Sequence, residues 1–311
     1  MVAKDKNMIR PPYLKAGDTV ALISSARKVS KAEVKPCIDI LQSWGLNVQT
    51  GKNLFKSENQ FAGSDEERTA DFQRALNSKT VQAILFARGG YGTARIIDSL
   101  DFKRFAKNPK WLIGFSDITV IHSHVHRHYG FETMHAPMSL NIPKLSPQCL
   151  GVLKSTLFGE RLSYSSSKQQ PIAEKLNRKG KAKGMLVGGN LSILYSLGGT
   201  PSDIDTTGKI LFLEDLDEYL YHIDRMMMNL KRGGKLQNLA GLVVGALNDM
   251  KDNEIPFGKT AEEIISAAVA EYAYPVLFGF PSGHVQNNFP LIFGRDVTLS
   301  VAEKTDLTFA P

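Results

Sequence analysis

A serine nucleophile needs a base, and the base needs a group that orients it. Ser116 stands in Gly114-Phe115-Ser116-Asp117-Ile118, between an apolar strand run and a helical segment. A serine on a sharp strand-to-helix turn has its Oγ lifted above the end of a sheet. The first N–H groups of the following helix lack intrahelical partners and carry the positive end of its dipole, so both would stabilise an oxyanion. The pattern is not a full G-x-S-x-G, because Ile118 occupies the place of the last glycine. The same residues also describe an ordinary helix cap, the Ser116 hydroxyl bonded to the first turn, and local spacing alone favours that plainer role.

A second turn, Arg88-Gly89-Gly90-Tyr91-Gly92, follows another apolar run. It lacks the G-x-G-x-x-G pattern and the P-loop lysine, so it does not point to a nucleotide. Its glycines permit positive φ and close approach of backbone to a ligand. Beside a serine turn it offers a second oxyanion donor, the N–H of Gly90; otherwise it is a tight strand–helix connection.

Seven histidines are candidates for the base. His122, His124, His126 and His128 follow Ser116 on one helix, and their i,i+4 pairs have zinc-binding spacing. No H-E-x-x-H glutamate accompanies them, and a metal-free face is the favoured reading. His135, in His-Ala-Pro, either lines a site or caps a turn, and His222 falls mid-helix at an exposed position. His284 stands apart, in the loop Gly279-Phe280-Pro281-Ser282-Gly283-His284 after an apolar strand. Such loops present catalytic groups on a rigid scaffold, although a hydrogen-bonded loop histidine is an equal alternative. For the orienting carboxylate, Leu213-Glu214-Asp215-Leu216-Asp217-Glu218 offers four choices. Glu214 ends the apolar run Ile210-Leu211-Phe212-Leu213, where an unpartnered carboxylate would be costly. Asp217 and Glu218 precede a helix and suit its dipole. The order Ser116, Glu214, His284 is the Ser…acid…His order of α/β-hydrolases.

The elements that must position these groups alternate. Thr19 to Ile23, the segment from Leu46, Val81 to Ala87 and Trp111 to Phe115 read as strands. Residues 31–44, 65–78, 93–99 and 117–129 read as helices, the second opened by the capping box Ser64-Asp65-Glu66-Glu67. This alternation predicts α/β architecture, with a parallel-sheet, Rossmann-like N-terminal domain. Residues 156–183 are polar and basic and read as an interdomain linker or surface excursion. A smaller, mostly β-rich α/β domain follows over 184–311, with strands near 185–188, 209–213 and 240–246 and helices near 190–197, 219–231 and 260–272. The domains are thus 1–155, carrying the nucleophile, and 184–311, carrying acid and base.

A length of 311 residues fits two domains at about 150 residues each. Charged residues at 22% argue against disorder. The net charge of +7 suits nucleic acid, an acidic small substrate or plain surface lysine equally. No basic stripe with interleaved aromatics supports nucleic acid. Two cysteines, Cys37 and Cys149, form no CxxC pair, and Cys37 shares a helical stripe with Val34 and Leu41. Residues 1–15 show no apolar leader and no run is long enough to span a membrane, so a reducing cytoplasm is the expected compartment. The three methionines Met226 to Met228 read as core filling with its flank.

Taken together the motifs resemble the LD-carboxypeptidase family, also called muramoyltetrapeptide carboxypeptidases, over nearly the whole length. Pro12-Tyr13-Leu14-Lys15-Ala16-Gly17-Asp18 is similar to that family's opening. Arg88 to Gly92 with Arg95 resembles its glycine segment, and Leu112 to Asp117 its nucleophile segment. His135-Ala136-Pro137, Gly188-Gly189-Asn190-Leu191, Phe212 to Asp215 with Tyr221, Ile223-Asp224-Arg225-Met226 and Gly279 to His284 fit as well. The resemblance implies a triad of Ser116, His284 and Glu214, with Asp215 and Glu218 as alternative acids. It further implies an oxyanion hole from the N–H groups of Gly90 and Asp117, substrate contacts at Gly89 and Tyr91, no metal and no cofactor. The implied reaction removes the terminal D-alanine from the tetrapeptide stem of recycled peptidoglycan, in a cytoplasmic homodimer that binds a small muropeptide. Two other readings remain open: a microcin-immunity peptidase cleaving a peptidyl-adenylate, and a non-catalytic anion-binding α/β protein. The first would want an aromatic platform, and 160–183 supplies Tyr164 but no tryptophan.

Overall fold

Two capping boxes fix where helices begin in the N-terminal half. The Ser30 side chain accepts from Glu33 N–H while Glu33 reaches back to the Ser30 N–H, and Ser64 and Glu67 do the same. They open α1 (Lys31–Ser43) and α2 (Asp65–Asn77). In this computed structural model residues 8–166 and 175–311 are described. Residues 1–7, where no leader was expected, and 167–174, within the expected linker, lie outside them. The chain divides into two units, residues 1–160 with 286–291, and 161–285 with 292–311.

In the first unit β1 (Thr19–Ile23), β2 (Asn47–Thr50), β3 (Val81–Phe86), β4 (Trp111–Gly114) and β5 (Thr133–His135) form a parallel sheet in the order β5-β4-β3-β1-β2. The chain moves one way from β1 to β2 and the other way from β1 to β3, β4 and β5. Its connections therefore part at the carboxyl ends of β1 and β3, which is where doubly wound sheets bind ligands. The central strands are apolar on both faces, as parallel strands covered by helices must be: Ala83 to Phe86 and Trp111 to Ile113 are buried. Between the strands come α3 (Thr93–Ile96) and α4 (Lys103–Lys107), then α5 (Thr119–His128) after β4 and α6 (Pro147–Leu157) after β5.

The second unit holds a mixed sheet. β6 (Ser163–Ser166), β7 (Gly180–Asn190), β8 (Ile210–Leu216), β9 (Gly241–Asn248), β10 (Val276–Leu277), β12 (Asp296–Val301) and β13 (Thr305–Phe309) lie in the order β10-β9-β8-β7-β12-β13-β6; the short β11 (Leu291–Phe293) precedes β12 in the chain. β10, β9, β8 and β7 are parallel, whereas β7, β12, β13 and β6 are antiparallel. Strand β6 and the start of β7 fall within 156–183, so part of that polar stretch is paired in the sheet. One face of the parallel strands is covered by α7 (Leu191–Leu197), α8 (Leu220–Arg232) and α9 (Ala261–Ala268). Ile223, Met226, Met227 and Leu230 of α8 join that core, while Met228 is exposed. Among the described residues no helix is long and apolar enough to cross a membrane.

Candidate active site

Ser116 begins a single 3-10 turn, Ser116–Ile118, between β4 and α5. Its φ is +62°, in the left-handed region where a non-glycine residue is strained. A simple cap takes extended backbone, as Ser30 and Ser64 do at −97° and −67°; Ser116 does not. Gly114 explains how the turn closes without the expected glycine at 118. A Cβ on Gly114 would stand 2.8 Å from Cγ1 of Ile118, so the bare strand residue makes room for the isoleucine. Gly89 seats against the serine in the same manner, since a Cβ there would lie 3.2 Å from Ser116 Oγ.

The ends of three strands are tied together beneath the turn. Oδ2 of the buried Asp117 accepts from the Thr93 N–H at 2.9 Å and from the Thr93 hydroxyl at 2.6 Å. The Thr93 hydroxyl also lies 2.8 Å from that of Ser25. The buried Arg68 donates to the carbonyls of Ser25 and Gly92. Burial pushes the Asp117 carboxyl above the usual carboxylate range, against the pull of the Thr93 hydrogen bonds. Glycine turn and serine turn are therefore cross-linked through the Asp117 side chain. Only the backbone of Asp117 was expected to take part; the hydroxyl of Thr93, directly after the glycine turn, is the sequence signal for its side chain.

The helical histidines serve the scaffold. His122, His124 and His126 are buried. Nε2 of His122 lies 2.9 Å from the Gly114 carbonyl, which can only accept, so Nε2 carries the proton. Burial drives the His122 pKa down to about 4, against that hydrogen bond, which keeps the ring neutral. His126 meets the Thr133 hydroxyl at 3.1 Å. His135 is buried in β5, its ring edge-on to Phe115. Of the expected contact residues, Gly89 is buried, and Gly90 and Tyr91 are exposed.

In the second unit the structure brings Glu214 and His284 together. Nδ1 of His284 lies 2.6 Å from Oε2 of Glu214, and the His284 N–H donates to the same oxygen at 3.2 Å. Glu214 is fully buried near the end of β8. The loop that delivers His284 is pinned to β9 by the bonds Phe280 N–H to Val244 O, Ala246 N–H to Ser282 O and Asn248 Nδ2 to His284 O. It approaches Glu214 so closely that a Cβ on Gly283, whose φ is +109°, would stand 2.7 Å from Oε2. Burial disfavours the His284 imidazolium, but the charge and hydrogen bond of Glu214, with the charge of Asp215, outweigh it and raise the pKa above the ordinary value.

The other carboxylates of the cluster are engaged elsewhere. Successive side chains of a strand point to opposite faces, and Asp215 accepts from Asn190 Nδ2, Leu216 N–H and Ser192 N–H at the start of α7. Burial, then the Glu214 charge, pushes its pKa up to about 7. Asp217 pairs with Lys251. Glu218 pairs with His222 at 2.5 Å, which leaves His222 half-buried rather than exposed.

Comparison with known proteins identifies the family of the chain. Residues 20–136 match the LD-carboxypeptidase N-terminal domain and residues 183–299 the LD-carboxypeptidase C-terminal domain. A probable murein peptide carboxypeptidase of Bacillus subtilis is 36% identical over 299 residues, 95% of this chain and 93% of its own. A solved muramoyltetrapeptide carboxypeptidase from Oxalobacter formigenes is 29% identical, with a TM-score of 0.85 over 94% of this chain and 99% of its own. The microcin C7 self immunity protein also reaches 0.85, over 96% of this chain and 98% of its own, but at 20% identity that likeness is one of fold alone. With family domains matched over both halves and a relative 36% identical along almost the whole chain, this protein belongs to the LD-carboxypeptidase family of serine-type peptidases.

Proposed function

We propose that this enzyme releases the terminal D-alanine from peptidoglycan-derived tetrapeptides, acting in the cytoplasm as a homodimer in murein recycling. The observation that carries the reading is the buried Glu214 carboxylate holding Nδ1 of His284 at 2.6 Å. A carboxylate only accepts, so Nδ1 keeps its proton and Nε2 is left as the base. In the proposed reaction Nε2 takes the proton of Ser116 Oγ as that oxygen attacks the carbonyl of the last peptide bond. The N–H groups of Gly90 and Asp117 stabilise the oxyanion, with Gly89 and Tyr91 beside the substrate. The protonated His284 then donates to the leaving amine of D-alanine, and water hydrolyses the acyl-enzyme by the same route in reverse. No cofactor enters these steps. The net charge of +7 suits a stem peptide with several carboxylates.

The strained φ of Ser116 supports the nucleophile assignment, because strained backbone at non-glycine residues clusters at active sites. The names of the relatives support the substrate class. The test is D-alanine release from a free or muramyl tetrapeptide by the wild type and Ser116→Ala. The variant is expected to lose about four to six orders of magnitude in kcat. Near wild-type release by Ser116→Ala would overturn the reading.

A further inference from the structure

A carboxypeptidase must tell a chain end from an internal residue, and the group that marks the end is a free carboxylate. In a peptide the carbonyl carbon under attack is three bonds from the carboxylate of the departing residue. With bonds of about 1.3–1.5 Å the two carbons lie on the order of 3–4 Å apart. A cation that recognises the end must therefore sit beside the oxyanion donors. Resting on the reading above, that place is the loop of Gly90.

The Arg27 side chain lies there. Arg27 follows β1, and its backbone is fixed by the Ser24 hydroxyl, which donates to its carbonyl at 2.8 Å, and by an antiparallel bridge to Phe61. The residues on either side hold the same pairing, with bonds Lys28 N–H to Gln60 O and Ala62 N–H to Ala26 O, each at 3.0 Å. Ala26 and Val29 are buried, whereas Arg27 is exposed. The Arg27 stem lies across Gly90. A Cβ at Gly90 would stand 2.6 Å from Cδ and Nε of Arg27, so the glycine leaves the space that the arginine occupies. The two loops leave β1 and β3, adjacent parallel strands whose connections run in opposite directions and open a ligand crevice.

The guanidinium is also uncommitted. Arg68 and Arg95 are paired with Asp65, Arg74 with Asp71 and Arg10 with Glu132, but among the described residues Arg27 has no carboxylate within ion-pair distance. A guanidinium presents a planar fork that matches a carboxylate with two parallel hydrogen bonds, a geometry that lysine lacks. We propose that Arg27, seated on Gly90, binds the free α-carboxylate of the departing C-terminal residue and so restricts the enzyme to chain ends.

The test compares a tetrapeptide ending in D-alanine with the same peptide as its C-terminal primary amide. The wild type is expected to prefer the acid. Arg27→Ala should lower kcat/KM for the acid about 10- to 100-fold, the range for a charged hydrogen-bonded contact, and change the amide by less than about threefold. Arg27→Lys should fall between. Thermal unfolding shows that each variant is folded. The same comparison is made by calorimetric binding in the Ser116→Ala background, where no turnover is needed: adding Arg27→Ala should weaken the acid and leave the amide unchanged. The inference is overturned if the wild type shows no preference, or if Arg27→Ala keeps the wild-type acid-to-amide ratio in both assays. Turnover that survives Ser116→Ala would instead count against the underlying serine mechanism.

Discussion

Oε2 of Glu214 accepts two hydrogen bonds from one residue, His284: one from its ring at 2.6 Å and one from its backbone at 3.2 Å. Ring and main chain are thereby held by a single atom, which sets the tautomer and the orientation of the imidazole together. Asp215 lies one residue along the same strand, and its carboxylate binds the start of a helix instead.

The charge of Glu214 is expected to govern the pH dependence of the reaction. Catalysis needs a neutral imidazole, so activity rises as pH passes upward through the His284 pKa, which stands above the ordinary value of about 6.5. Glu214→Gln removes the larger raising charge and leaves burial, which lowers the pKa, opposed only by the lesser charge of Asp215. The acidic limb of the kcat/KM profile should therefore move to lower pH, while the plateau drops by about 10²- to 10⁴-fold. Rate profiles of both forms measure this; an unmoved limb would show that another group titrates.

The backbone at Ser116 should make the nucleophile position a net liability for stability. Left-handed backbone costs a residue with a Cβ about 1–2 kcal/mol, and glycine loses about 0.5–1 kcal/mol of that advantage through its freer unfolded chain. Ser116→Gly should thus be more stable than Ser116→Ala by about 0.5–1 kcal/mol, although neither has a hydroxyl. Calorimetric unfolding of the two variants provides the comparison, and a less stable Ser116→Gly would contradict the strain.

Gly283 is expected to tolerate no side chain. Its φ of +109° and the 2.7 Å separation between a Cβ and Glu214 Oε2 mean that Gly283→Ala must shift the loop or the carboxylate. Both displacements lengthen the Glu214–His284 bond. The variant should lose at least about tenfold in kcat, with a His284 pKa below that of the wild type, measurable by NMR titration. A variant with an unchanged titration would refute the packing argument.

The alternation of the N-terminal half was legible because its signals are local. Ser64 and Glu67 announce a helix, and Val81 to Phe86 is too apolar and too short to be anything but a buried strand. The three-residue β5 and the polar β6 were not legible, since such strands exist only through their neighbours, whereas β10 showed as the apolar strand before the His284 loop. Motif order pointed to Ser116, Glu214 and His284. The choice among Glu214, Asp215 and Glu218 needed the alternation of side chains along β8 and the bonds each one makes. Arg27 was invisible in the sequence, because its interest arises from Gly90, 63 positions away in the chain and adjacent in the fold.

The contact between Gly114 and Ile118 bears on how such turns are found and redesigned. Close passage of a helix over a strand requires one bare partner, and the requirement is symmetric: either member of the pair can surrender its side chain. A pattern that demands a small residue two places after the serine tests only one member and passes over a turn of this kind. The two positions should consequently be exchanged together, because neither the strand nor the helix residue carries the constraint alone.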